Sequence, residues 1–235
     1  MIQKILNTFK EISKLPKISI KFKNSNSQSI DNYEVTYRYF TKPHRFKIIK
    51  NKSIGVAIID FNLYQNFDEY YKIINGKNSS AYYARKASKR GYEFIEIDRR
   101  DYIDDIYEIN TSSLTRQGKK MSNSYLKKVK EYQDKSNYRY FGVIDKNGKL
   151  LSYCNIGFYG EFTLISTLLG HKKYLNDGIM YLMLVEFTKL MFEEYQKDGY
   201  RYIMYDTFFG ASDGLKKFKK KLGFKPYRVT WIWEN

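Results

Sequence analysis

The densest run of apolar positions lies just after Gly178. Ile179, Leu182, Met183, Val185, Phe187, Leu190, Met191 and Phe192 cover so much of a helical surface that this helix must be largely buried. The strand pattern FTLISTLL precedes it, and YRYIMYD, Tyr200 to Asp206, follows a helix stop at Asp198 and Gly199. A helix between two strands is a crossover, so the strands are expected to lie parallel in one sheet. A second, basic helix ends at Gly223, and KPYRVTWIW closes the pattern as a strand.

Upstream, MIQKILNTFKEISKL sets Ile2, Ile5, Leu6, Phe9 and Ile12 on one helical face, with Lys4, Lys10 and Lys14 elsewhere. Such a basic amphipathic helix suits either packing on its own protein or peripheral contact of residues 1–15 with an anionic membrane surface. Between Lys17 and Phe61 the runs ISIKF, YEVTYRYF, RFKII and IGVAIIDF predict strands, with NSNSQSIDN as a polar loop. FDEYYKII and AYYARKASKR predict two helices stopped by Gly91. Then come strand YEFIEID, helix YIDDIYEI, the polar connection INTSSLTRQGKKMSNS, helix YLKKVKEY, and strands YRYFGVID and LLSYCNIGF around an Asn147-Gly148 turn. The expected organisation is a small strand-and-helix N-terminal lobe at 1–90 followed by an α/β domain at 91–235.

The order strand, helix, strand, helix and LGF-like ending resembles the acyl-CoA N-acyltransferase (GNAT) superfamily. Two segments resemble its Fem-type branch, which contains aminoacyl-tRNA-dependent transferases. These are GLKKFKKKLGF at Gly214–Phe224 and NSSAYYARKASKRGYEF at Asn78–Phe94, within a resemblance that spans roughly residues 78–228. It implies an α/β (α+β) fold, a GNAT-like mixed sheet with flanking helices. It also implies transfer of an acyl group to a primary amine, such as an amino sugar of a surface polysaccharide or a sugar nucleotide. The donor is either an acyl-CoA such as acetyl-CoA, as co-substrate, or an aminoacyl-tRNA. A further reading is a nucleic-acid-binding protein that kept the fold without the chemistry.

Charge bears on the same question. Lys and Arg number 42 against 25 Asp and Glu, a formal net charge of +17, which attracts polyanions in general, whether nucleic acid, coenzyme A or sugar nucleotides. The abundance of Lys and Tyr is also what an AT-rich genome would yield. A single cysteine, Cys154, excludes an internal disulfide and reads as a small buried hydrophobe. With two histidines and one thiol, no structural zinc site is expected. Glu186 and Lys189 interrupt the longest apolar run before it reaches a membrane span of about 18 residues, so a cytoplasmic, or membrane-associated, protein is expected.

Acyl transfer needs a donor cradle, a group that takes the amine proton, and stabilisation of the developing oxyanion. In the resembled superfamily the cradle is a glycine-rich helix start, and the aligned residues are Asn176, Asp177 and Gly178. Of its glycines only Gly178 is retained, and Asn176 or Asp177 reads equally as a helix cap. Arg116 and Gln117 in the polar connection, and Arg85 on the basic helix, are candidate acceptor-binding groups, because guanidinium binds carboxylate or phosphate through paired hydrogen bonds. Asp206, at the end of its strand, is the candidate amine base. Lys219, in the Fem-like FK pair, is the candidate oxyanion or donor-phosphate contact. GASDG at Gly210–Gly214 fits a nucleophile elbow, but no histidine follows His171 to complete a triad.

Overall fold

The computed structural model describes residues 11–23, 30–44, 49–116 and 118–234. Residues 1–10, which carry most of the amphipathic N-terminal pattern, 45–48 of the RFKII run, and Gln117 lie outside this set.

One eight-stranded mixed sheet runs through the molecule in the order β1-β10-β2-β9-β8-β7-β6-β3. Its strands are β1 (Lys17–Lys23), β2 (Ile54–Asp60), β3 (Glu93–Glu96), β6 (Tyr138–Ile144), β7 (Leu150–Tyr159), β8 (Phe162–Gly170), β9 (Tyr202–Thr207) and β10 (Lys225–Glu234). A two-stranded ribbon, β4 (Thr115–Arg116) with β5 (Lys119–Lys120), stands apart. The N-terminal strands join this same sheet, since β2 sits between β10 and β9, and β1 pairs parallel to β10.

Side chains alternate between the faces, as the pleat requires. Ala57, Ile59, Phe141, Val143 and Ile203 enter one cluster beneath α6 (Ile179–Leu190) and α3 (Ser80–Ser88). Val56, Ile58, Tyr202 and Met204 point the other way, beneath α1 (Ile30–Thr41). Helix α2 (Phe67–Ile74) joins the first layer through Tyr70 and Ile74, and α4 (Ile103–Thr111) covers Tyr140, Leu150 and Tyr153. Cys154 is fully buried, its Sγ 3.5 Å from Met183 Sδ.

Two elements differ from the sequence pattern. YEVTYRYF, expected as a strand, lies in α1. Tyr33, Tyr37 and Phe40 recur at i, i+4 and i+7 and meet the aromatic face of the sheet, with Phe22 5.8 Å from Phe40 and Tyr33 5.2 Å from Tyr159, ring centre to ring centre. The helix expected over YLKKVKEY is confined to α5 (Asn123–Leu126), capped by Ser122. Beyond it the chain leaves the helix, and Arg99 lies against the rings of Tyr132 and Tyr140 and binds Gln133 O and Asp134.

Candidate active site in the gap between β8 and β9

The crossover places β8 and β9 side by side and parallel, but they pair only at Phe162–Tyr202, Thr163–Ile203 and Leu164–Met204. β8 runs on to Gly170 and β9 to Thr207 without further pairing, so the strands part. A cause is visible on the far side of β9. Between Val56–Thr207 and Ile58–Met204 the register with β2 shifts, and β9 carries one residue more than its partner. Within that stretch Asp206 has φ +49°, a left-handed conformation rare outside glycine. A bulge of this kind bends its strand and re-aims a side chain.

The opening holds a cavity of about 370 Å³. Leu168 of β8, Tyr205 of β9, Leu175 and Met180 at the start of α6, and Leu215 and Phe218 of α7 (Asp213–Lys221) supply its apolar wall. Arg116 and Lys172 are its charged lining residues. Met180 packs over Gly170, where a Cβ would stand 2.5 Å from Met180 Sδ and the side chain would have to shift.

Lys219 is the charged residue buried beside this opening. Leu215, Phe218, Lys219 and Leu222 recur at i, i+3, i+4 and i+7, so Lys219 belongs to the inward face of α7 and is 0% exposed. Its Nζ donates to Thr207 O at 2.8 Å and lies 4.6 Å from the centre of the Tyr205 ring and 5.7 Å from that of Phe208. Burial lowers its pKa to about 8, against the opposing pull of Asp206. As a donor-phosphate contact Lys219 is therefore poorly placed, since its ammonium points into the fold. Burial likewise pushes the Tyr205 hydroxyl well above its ordinary pKa.

Asp206 is exposed and forms a short ion pair with Lys52, a residue that nothing in the sequence pattern singled out. Trp231 Nε1 donates to Lys52 O at 2.6 Å and fixes that strand end.

The other candidates divide. Arg116 reaches the cavity wall, but its guanidinium donates to Gly170 O at 3.0 Å and Ile109 O at 2.7 Å. Its Nε is buried without a hydrogen-bond partner, no ion pair reaches it among the described residues, and burial depresses its pKa. Arg85 is not part of this group. It is held by Tyr71 Oη at 2.7 Å and Asn75 Oδ1 at 3.0 Å, on α2 and its end.

The start of α6 differs from a phosphate cradle. Gly178, φ +92°, is itself the N-cap, with no side-chain cap from Asn176 or Asp177. Its missing Cβ makes room for α3, because a Cβ there would stand 2.3 Å from Tyr83 O. Asp177 is taken by Arg90 at 3.1 Å and the Tyr92 hydroxyl at 3.0 Å, and the Asn176 carbonyl accepts from Lys86 Nζ at 3.1 Å. The helix start expected to meet donor phosphates is therefore packed against the protein's own basic helix. In the elbow-like GASDG, Ser212 Oγ accepts from Leu215 N as the N-cap of α7.

The whole arrangement, a mixed sheet whose parallel β8 and β9 part around a crossover helix, is GNAT-like in fold. No protein-family model and no curated protein sequence matches the chain. Among solved structures it resembles FemX, with 13% identity and a TM-score of 0.57 over 97% of this chain and 74% of that one. L-PGS from Bacillus licheniformis aligns over 75% of this chain and 61% of its own, at 16% identity and a TM-score of 0.45. A tandem GNAT protein from the clavulanic acid biosynthesis pathway aligns over 75% and 50%, at 12% identity and a TM-score of 0.44. Among the described residues no helix is long and apolar enough to cross a membrane.

Proposed function

We propose that the protein is an N-acyltransferase that carries out transfer in the gap between β8 and β9. The observation that supports this is the parting of the two strands around an apolar cavity, with one buried lysine beside it. In the reaction the amine nitrogen attacks the acyl carbonyl carbon, the carbonyl oxygen takes up negative charge, and the bond from that carbon to the carrier's sulfur or oxygen then breaks. The amine loses a proton and the leaving group gains one. Lys219, charged below about pH 8, is the candidate for stabilising the oxyanion, an effect that a low-polarity setting strengthens. Asp206, held by Lys52, is the candidate for orienting the amine or accepting its proton. Arg116, a cation of the cavity wall, is the candidate for binding the acceptor.

The first donor reading is an acyl-CoA. A specific observation favours a second, an aminoacyl-tRNA: Gly178 packs against the Tyr83 carbonyl, which leaves little room for a pyrophosphate at the start of α6. The test is a thermal-shift screen of acetyl-CoA, longer acyl-CoAs, sugar nucleotides and charged tRNA, followed by transfer of a labelled acyl group to an amine. A donor at about 100 times its Kd adds roughly 2.7 kcal/mol of stability. Stabilisation by none of them, with no transfer, would overturn the reading.

A further inference from the structure

Lys219 is fully buried and its Nζ donates to Thr207 O, so no ligand atom in the cavity touches it. Tyr205 meets both sides: its side chain lines the opening, and the centre of its ring is 4.6 Å from the ammonium. The strand irregularity sets it there. Between the pairs Ile58–Met204 and Val56–Thr207, Tyr205 and Asp206 together stand opposite Ala57, so the bulge that bends β9 also aims the tyrosine. Asp206 turns to Lys52, and Tyr205 turns to the cluster beneath α6.

The hydroxyl of Tyr205 differs from others of the core. Tyr70 and Tyr153 donate to Leu222 O and Asn110 Oδ1, each at 2.8 Å, as buried phenols usually do. Tyr205 is partly buried, yet its hydroxyl makes no hydrogen bond among the described residues. Unlike Arg116 Nε, its oxygen is not closed off, so a ligand in the cavity can reach it. Of the other polar groups in the wall, Ser113 donates to Thr115 O and Arg116 to two carbonyls.

We propose that Tyr205 is a catalytic residue, its hydroxyl donating a hydrogen bond to the acyl carbonyl oxygen as that oxygen becomes negative, with Lys219 acting on it from the face of the ring. This rests on the acyltransferase reading and names the atom of that site that touches the reacting carbonyl. Burial raises the phenol's pKa, so the proton stays on Oη and the group serves as a donor, not as an acid. Charge gathers on the carbonyl oxygen during attack and returns to the carbon as the bond to the carrier breaks. The amine and leaving-group protons move as above, without Tyr205. A cation against the ring draws on its electrons and strengthens the hydroxyl as a donor, which gives Lys219 an influence on a substrate it does not touch. Because the bond tightens on an oxygen charged only in the transition state, it should act on kcat more than on KM.

The test is Tyr205→Phe in the full chain, with transfer of a labelled acyl group from acetyl-CoA, longer acyl-CoAs and charged tRNA, each offered separately. The variant keeps the ring and its contact with Lys219 and breaks no hydrogen bond among the described residues, so its melting temperature should not fall. Its kcat should drop about 10²- to 10³-fold, the scale of one lost oxyanion donor, with little change in KM. The wild-type rate should also fall as pH passes about 8 and Lys219, with Asp206 and Lys52 as its charged neighbours, loses its proton. Tyr205→Phe should lack that alkaline fall. A variant as fast as wild type, or slow but with the same alkaline fall, would overturn the proposal and leave the acyltransferase reading standing. No transfer by the wild type from any of these donors would overturn both.

Discussion

Lys219 Nζ donates to the carbonyl of Thr207, 2.8 Å away, on the residue that follows the left-handed Asp206. The bulge that bends β9 thus turns a main-chain oxygen toward a lysine that has no ion pair among the described residues. This gives stability and activity opposite dependences on alkaline pH. The folded-state pKa is lowered from 10.5 to about 8, so between these values the unfolded chain holds more protons and stability rises with pH. The full shift is worth on the order of 3 kcal/mol. If the ammonium form stabilises the oxyanion, activity falls over the same range. Denaturant midpoints and transfer rates from pH 7 to 10.5 should diverge in wild type. Lys219→Met should abolish transfer and flatten the stability profile, and a rate that holds as pH passes 8 would remove the lysine from catalysis.

Asp206→Asn should lower kcat by about 10² to 10⁴ if the carboxylate takes the amine proton. Its exposed ion pair with Lys52 contributes little to stability, so the melting temperature should hardly move. Asp206→Gly separates backbone from side chain. It should relieve about 1 kcal/mol of left-handed strain while losing the same activity. An undiminished rate in both variants would return Asp206 to a structural role.

Gly178→Ala should destabilise the fold by about 1 kcal/mol or more, through positive φ and through contact with Tyr83 O. Displaced packing of α3 on α6 should show as faster hydrogen exchange across α3. If instead the variant folds normally and loses only donor affinity, Gly178 is a phosphate contact after all.

These sites show where sequence pattern suffices and where it stops. The crossover, the β8–β9 pair and the helix stop at Gly223 follow from period and punctuation, because a helix buried on several sides and glycines at positive φ leave few alternatives. α1 was misleading, since Tyr, Val and Thr favour strands, and only its three inward aromatics reveal the helical period. Lys219 stands out by motif, but the motif does not tell that its side chain is buried. Its spacing from Leu215 and Leu222 marks an inward position, yet a charged residue is habitually read as solvent-facing. The partnership of Lys52 with Asp206 and the capture of Arg116 by Gly170 O join segments far apart in sequence, and no local pattern carries them.

Salt dependence separates the two donor readings. Coenzyme A engages few cations, so its binding should weaken modestly with salt. A tRNA meeting six or more phosphates should lose roughly 10³-fold in affinity between about 50 and 200 mM salt. Filter binding and calorimetry across that range give the slope, and a shallow slope for tRNA beside tight acyl-CoA binding would exclude the tRNA-borne donor.

The most direct test of the central claim is single-turnover transfer of a labelled acyl group by wild type and by Met180→Trp, which fills the opening from the start of α6. Transfer should proceed in wild type and fall at least about 10²-fold in the variant, the scale expected when reacting groups are displaced by roughly 1 Å, at an unchanged melting temperature. Equal rates in the two proteins, or no transfer by wild type from either class of donor, would contradict the assignment of the gap between β8 and β9 as the site of acyl transfer.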